Sequence, residues 1–484
     1  MPGNGAILGG GNGNFGKKQM KEQFAVRGFN PCESLLRHTP EQLRCFIRRM
    51  KRLKFNSIII HYDYGWKRYK DLILEECRRA GVEITLMTFG PRTFYRYTDW
   101  KPEFFAKKEE GGLFTEKLEC ETYPCRFAPG ALEAFEEGAR AWLAELPPAI
   151  RRIHMRAADG RDFCQCPKCR KFVPEERWNP FVARFVKAVQ ETRPDLAFET
   201  DVYIRRYDLP EDPAPFAGMA RIMFDTFPRT PAFPLGSALD DTVPGIMRRH
   251  YGTGNEPEEL TCNTAMLRKL EEWNRAFPGK VYIHENVMKQ GYAGNFQYGT
   301  RSYLEDLKTF RKLGIQGVCF EAYEPGYGAF AELFDLLARA LRGEEAEYTP
   351  CELDGIVREK KMTWFCQDPD LPLAPYITDP VLLKSQQFYQ KRVTGLSPQY
   401  FRDYVSFALE NEDRLDSLFI GYVQARTHLR EGKIAFRNLS PEAEKMLKAR
   451  KLWDFMEDIP DSEDPRAVCR NILEELLRKA APAV

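Results

Sequence analysis

Acidic and nitrogen-bearing side chains recur in this chain directly after short apolar runs. His61, Asp63 and Trp66 follow Phe55–Ile60, and Arg156 and Asp159 follow Ile150–Met155. Asp201, Tyr203 and Arg205 end the run that starts at Leu196, and Asp225 and Arg229 follow Ala220–Phe224. His284, Glu285 and Asn286 close the run from Lys280, and Glu321, Tyr323 and Glu324 the run from Ile315. Paired carboxylates can cleave an acetal, one protonating the leaving oxygen while the other attacks or activates water. Asp, Arg and Asn around them suit a hydroxyl-rich ligand, and Trp66 and Tyr323 offer stacking faces. Glu285 and Glu321 rank first as catalytic acids because they end the last two strong runs; Asp159 ranks next. The expected substrate contacts are His61, Asp63, Trp66, Arg156, Tyr203, Arg205, Asp225, Arg229, Asn286 and Tyr323. For each acid the plainer reading is a salt bridge or a loop cap, since arginines lie close by in sequence.

A second constellation is Cys164-x-Cys166-x-x-Cys169. Three cysteines at this spacing could hold a structural zinc with a fourth ligand from elsewhere, such as Cys120 or Cys125; the plainer reading is free thiols packing a loop. The total of 13 cysteines is odd and spread along the chain, which argues for reduced thiols rather than a disulfide framework. His61, His154 and His284 could meet at one place and bind a metal, although His154 falls inside an apolar run. There is no H-E-x-x-H pattern and no Gly-x-Ser-x-Gly elbow.

These residues need a scaffold that collects strand ends, and the chain supplies a repeating unit of amphipathic helix, apolar strand and loop. Helices are expected at Pro40–Leu53, Tyr69–Ala80, Ala131–Leu146, Pro180–Thr192, Thr264–Phe277 and Ser302–Leu313. The strands between them are continuous apolar runs, as in parallel sheets buried on both faces. Seven are clear, and an eighth, weak one is expected within Glu116–Phe127. This predicts an α/β fold, a (β/α)8 TIM barrel, with the acids gathered at the C-terminal mouth. A doubly wound sheet is the alternative, but no glycine-rich nucleotide fingerprint supports it. The expected organisation is a flexible leader over 1–20, a catalytic barrel over 21–348, a Pro- and Asp-rich linker over 349–379, and a helices-only C-terminal domain over 380–484.

Composition narrows the partners. The net charge of +2 offers no basic field for nucleic acid. No run of about 18 apolar residues predicts a membrane span. The Gly- and Asn-rich start lacks a signal-peptide core, so a cytoplasmic protein is expected. The helical C-terminal domain could also form a homo-oligomer contact.

Five segments resemble a group of bacterial barrel proteins related to glycoside hydrolase family 163 and allied in fold to α-glucuronidases and β-N-acetylhexosaminidases. They are Arg27-Gly-Phe29, the Asp159…Cys164-x-Cys166-x-x-Cys169 loop, Cys262-Asn263 ahead of Leu270 and Trp273, Val281-Tyr282, and Gly314-Ile-Gln-Gly-Val-Cys-Phe-Glu321. The resemblance spans roughly 25–345. It implies a glycoside hydrolase with a carbohydrate substrate containing N-acetylhexosamine, and Asp159 and Glu321 as matching acids; no cofactor is expected to be required beyond a possible structural zinc. Asp159 is followed by Gly160 rather than Glu, which departs from the Asp-Glu pair of hexosaminidases. The alternatives are an α-glucuronidase-like hydrolase, a metal-dependent barrel hydrolase or isomerase using His61, His284, Glu285 and Glu321, and a carbohydrate-binding protein without catalysis.

Overall fold

A computed structural model of the chain describes residues 23–31, 34–120, 122–158, 163–203, 207–226, 229, 233–237, 263–287, 300–321, 331–346, 380–391 and 395–483. Eight parallel strands close into a barrel in chain order. They are β1 (Val26–Asn30), β2 (Ser57–His61), β3 (Glu83–Phe89), β4 (Arg152–Arg156), β5 (Ala197–Val202), β6 (Arg221–Asp225), β7 (Val281–Glu285) and β8 (Gly317–Glu321). The helices that follow them are α1 (Pro40–Arg52), α2 (Trp66–Ala80), α3 (Gly90–Tyr95), α4 (Ala131–Glu145), α5 (Pro174–Thr192), α6 (Ala214–Ala217), α7 (Asn263–Ala276), α8 (Thr300–Leu313) and α9 (Ala331–Leu341). The expected TIM barrel is therefore the fold.

The eighth strand is not where the sequence placed it. Among the described residues, 116–127 contains no strand, only an isolated bridge between Pro124 and Phe105. The missing strand is β1, which pairs with β8 over five residues and with β2. Its sequence, Val-Arg-Gly-Phe-Asn, has no continuous apolar run because Gly28 and Asn30 share the inward face with Val26. Closure leaves no room at the neighbouring strand: a Cβ on Gly317 would stand 1.9 Å from the Val26 carbonyl oxygen.

Local signals explain the helix ends. Thr39 and Gln42 form a reciprocal capping box at the start of α1, with Pro40 in the first turn. Gly81, at φ 69°, ends α2 in the left-handed region. The period-2 alternation of each strand sends one set of side chains to the helices and the other into the bore. The outward set joins the large aromatic- and aliphatic-rich core under the helix layer, including Phe29, Ile58, Ile153 and Ile283. The inward set is stratified. Glu199, with Thr85 3.2 Å away, lies low in the bore. Above it sits an apolar plug of Val26, Ile59, Met87, Met223, Tyr282 and Cys319. A polar layer tops the stack at the strand ends.

The C-terminal region is not helices only. It holds α10 (Pro380–Lys391), α11 (Pro398–Glu410), α12 (Ser417–Arg430), α13 (Pro441–Lys448), α14 (Leu452–Glu457) and α15 (Pro465–Lys479), plus an antiparallel pair, β9 (Ile434–Phe436) and β10 (Ala480–Pro482). The stretches 398–430 and 441–457 each hold two helices rather than one. The first break is capped by Asp416, whose carboxylate accepts from the Phe419 N–H. This region packs against the barrel through ion pairs, the buried Arg37–Asp416 at 3.1 Å and the half-buried Arg92–Asp454 at 2.6 Å. No described helix is long and apolar enough to cross a membrane.

Candidate active site

The polar layer gathers at the C-terminal ends of the strands. Asn30 on β1 holds the centre: its Nδ2 stands 3.2 Å from His61 Nε2 and 3.3 Å from His284 Nε2. One amide group thus donates to two imidazoles, which leaves each Nε2 as an acceptor and puts the ring proton on Nδ1. His284 Nδ1 then donates to Asp225 Oδ2 at 2.9 Å. Asn286 Nδ2 donates to the other oxygen of Asp225 at 3.1 Å. On the far side of His284, Glu321 Oε2 lies 3.8 Å from Nε2. The Asp225 and Glu321 carboxylates are therefore one imidazole apart, under about 9 Å, and paired glycosidase carboxylates stand about 5 to 9.5 Å apart.

A second cluster borders the first. The Arg156 guanidinium lies over the Tyr203 ring at 4.3 Å and the Phe89 ring at 5.6 Å, and its Nε is 3.6 Å from Asp201 Oδ2. His61 packs on the opposite neighbour of that layer, with its ring centroid 5.4 Å from Phe89. The field between these groups is anionic. Burial, then the charges of Glu199, Glu321 and Asp225, holds the Cys319 thiol well above its ordinary range. Six of the expected site residues, Glu321, Asp225, His61, Asn286, Arg156 and Tyr203, are brought together here.

Four others are placed elsewhere. Glu285 follows the inward His284 and so faces outward, toward the helices. Its Oε2 accepts from Thr226 Oγ1 at 2.9 Å and from Arg229 at 3.1 Å. Arg229 also pairs with Asp306 of α8 at 2.5 Å and donates to the Phe233 carbonyl. Arg229, Glu285 and Asp306 thus form a buried ionic triad that fastens β7 to α8. Burial raises the Glu285 carboxyl and pushes Asp306 up to about 7, with Arg229 opposing both shifts. Asp63 accepts from the Phe89 N–H at 3.0 Å and from Thr93, tying the end of β2 to the start of α3. Trp66 opens α2 and is buried in the core under the helices. Asp159, Arg205 and Tyr323 lie outside the described residues.

Sequence reasoning passed over three contributors. Asn30 was hidden with β1. Lys451 and Glu457 come from the C-terminal region. Lys451 Nζ lies 6.0 Å from the Phe89 ring that Arg156 and His61 also flank. Glu457 accepts from the Gly65 N–H just beyond β2, and burial pushes its carboxyl up to about 7. No local signal marks either residue, because their position depends on docking between segments that are distant in sequence, 392 residues apart for Glu457 and Gly65.

The cysteine loop adopts a defined cluster. Cys125, Cys164, Cys166 and Cys169 bring their sulfurs within 4.8 Å of one another, a group of ligand atoms that could hold a metal ion. Cys120 is not in the group. Among the described residues no comparable group of His, Asp and Glu forms at the barrel mouth, so the expected metal set of His61, His284, Glu285 and Glu321 is not assembled.

A comparison with protein-family models finds no match, and neither does one with curated proteins. Solved structures are similar in fold. A beta-galactosidase from the psychrophilic Marinomonas ef1 is 9% identical, with a TM-score of 0.43 over 66% of this chain and 61% of that one. The chain thus spans about three fifths of that enzyme. A GH42 beta-galactosidase from G. stearothermophilus is 12% identical, with a TM-score of 0.42 over 79% of this chain and 66% of that one. An O-GlcNAc hydrolase from Thermobaculum terrenum is 11% identical, with a TM-score of 0.36 over 94% and 95%. Similarity at this level carries nothing about activity.

Proposed function

We propose that the protein is a glycoside hydrolase whose chemistry lies at the barrel mouth and needs no cofactor. The observation that carries this reading is the Asp225–His284–Glu321 row, two buried inward carboxylates flanking one imidazole. Glu321, buried and 3.8 Å from His284 Nε2, acts as general acid. Asp225, with donors on both oxygens, is the second carboxylate, and His284 sets the spacing between them. Asp201, Arg156, Asn286 and Tyr203 supply the hydrogen bonds and the ring face that a sugar needs. The resemblance in sequence adds a substrate class, an N-acetylhexosamine-containing glycan. It also adds Asp159, which precedes the cysteine loop, as a further candidate acid.

In this reading residues 21–348 are the catalytic barrel and 380–484 a helical domain that braces the rim through Lys451 and Glu457. The free thiols suit a reducing, cytoplasmic setting.

The test is hydrolysis of a panel of chromogenic glycosides, N-acetylglucosaminides and glucuronides included, by wild type and Glu321→Gln. Turnover of one sugar that the variant loses by about 100-fold or more supports the reading. Equal turnover by both removes Glu321 from the mechanism. Binding of sugars without turnover favours a carbohydrate-binding protein instead.

A further inference from the structure

We infer that Cys125, Cys164, Cys166 and Cys169 form a closed four-thiolate zinc site that clamps together two segments at the barrel mouth. Three observations carry this. The first is metric. Four sulfurs arranged tetrahedrally at the usual zinc–sulfur distance of about 2.3 Å stand about 3.8 Å apart. Cys125 Sγ lies 3.9 Å from Cys166 Sγ and 3.7 Å from Cys169 Sγ. A disulfide requires about 2.05 Å, so these sulfurs are spaced as metal ligands rather than as bonded pairs.

The second observation is the backbone around the sulfurs. The Lys107 N–H points to Cys164 Sγ at 3.4 Å, and the Cys169 N–H to Cys166 Sγ at 3.4 Å. Amide donors on ligand sulfurs offset the negative charge of thiolates and fix their direction. The turn from Cys166 through Pro167 and Lys168 to Cys169 is closed by the Arg170 N–H on the Cys166 carbonyl at 3.0 Å.

The third is placement. Cys125 sits between α3 and α4, in the long connection after β3, whereas the other three sit between β4 and α5. The same two segments are stitched by the Gln165 N–H on the Lys107 carbonyl at 2.7 Å and by Tyr123 Oη on the Ala158 carbonyl at 2.8 Å. Ligands from two segments in a buried cluster with no position left for water describe a structural metal site rather than a catalytic one. Four sulfurs suit zinc or iron; zinc fits a closed structural site, which needs no redox chemistry.

The experiment is elemental analysis of the full chain purified without chelator, followed by reconstitution with Co(II) as a spectroscopic probe. The expected result is one zinc per chain and, after exchange, the intense visible bands of cobalt in a tetrahedral thiolate set. Cys125→Ser should lose most of the metal and weaken those bands, while Cys120→Ser, also buried nearby, should keep both. Wild type free of zinc and giving no thiolate cobalt spectrum overturns the site, with no variant required. Iron in place of zinc overturns the metal assignment. Metal retained by Cys125→Ser but lost by Cys120→Ser overturns the ligand set.

Discussion

Removing the Arg229 side chain should destabilise the protein without touching the chemistry. Arg229, Glu285 and Asp306 have side-chain exposures of 2%, 5% and 1%, so water screens none of them. In Arg229→Met two buried carboxylates lose their shared cation, and breaking a buried pair in this way costs about 3–5 kcal/mol. That is a large part of the roughly 5–15 kcal/mol that holds a domain folded. The loss has a pH signature. Asp306 already titrates near 7 in the folded chain against 3.8 as a free group. Between those values the folded state holds a proton that the unfolded state has released. Stability therefore falls as pH rises from about 4 through about 7, and levels above. Without Arg229 the folded value climbs further, so the deficit of the variant should be greater at pH 8 than at pH 5. Thermal melts at both pH values, with turnover measured on the folded fraction, test this. Glu285→Gln should likewise keep turnover and lose stability, whereas Glu321→Gln should keep stability and lose turnover. If Arg229→Met melts with the wild type and has lost activity, the triad faces substrate and its outward placement is refuted.

Three further outcomes follow from the same geometry. Asn30→Ala leaves two imidazoles without their common donor; a buried hydrogen-bonding group left unmet costs about 1–3 kcal/mol, so the variant should melt lower by that much stability, and in the proposed reading the pH profile of kcat should shift as the rings lose their fixed orientation. Gly317→Ala forces a Cβ onto the Val26 carbonyl oxygen; the strain falls in the class that exceeds about 4 kcal/mol, and soluble yield should collapse. Glu457 is raised to about 7 by burial, so it lowers stability as pH rises from about 4.5 through 7; Glu457→Gln should match wild type at pH 5 and exceed it at pH 8 by on the order of 2 kcal/mol.

Much of this was legible because seven strands announce themselves as apolar runs buried on both faces. β1 did not, since barrel closure demands small or polar inward residues there. Gly28 must admit a neighbour, and a Cβ at that position would already lie 3.2 Å from Cys319 Sγ. Asn30 must reach two histidines. The same constraint that made the strand hard to read thus placed Asn30 at the centre of the polar layer. The C-terminal contributions were illegible for another reason. Lys451 and Glu457 act through docking, and neither periodicity nor spacing reports which distant helix will lie against which rim.

The outward direction of Glu285 could have been worked out from the sequence. Glu285 and Glu321 both end strong strands, and strand-end position alone ranks them equally. The period of 2 separates them. On β8, Cys319 faces the bore and Phe320 the helices, so Glu321 returns to the bore. On β7, Tyr282 and His284 share the inward face with Cys319 and Asn30, so Glu285 must point away. An inward Tyr is an ambiguous anchor, since tyrosine also packs under helices, and the strand therefore reads equally well in either register. What resolves it is the partner across the gap. Asp306 lies on the inward face of α8, three residues after buried Tyr303. A carboxylate at that place requires a cation, and Arg229 bridges it to Glu285. A strand-end acid opposed by a buried helix acid and a loop arginine has its charge taken up by the scaffold; one opposed by a histidine across the bore is the stronger candidate for the proposed site.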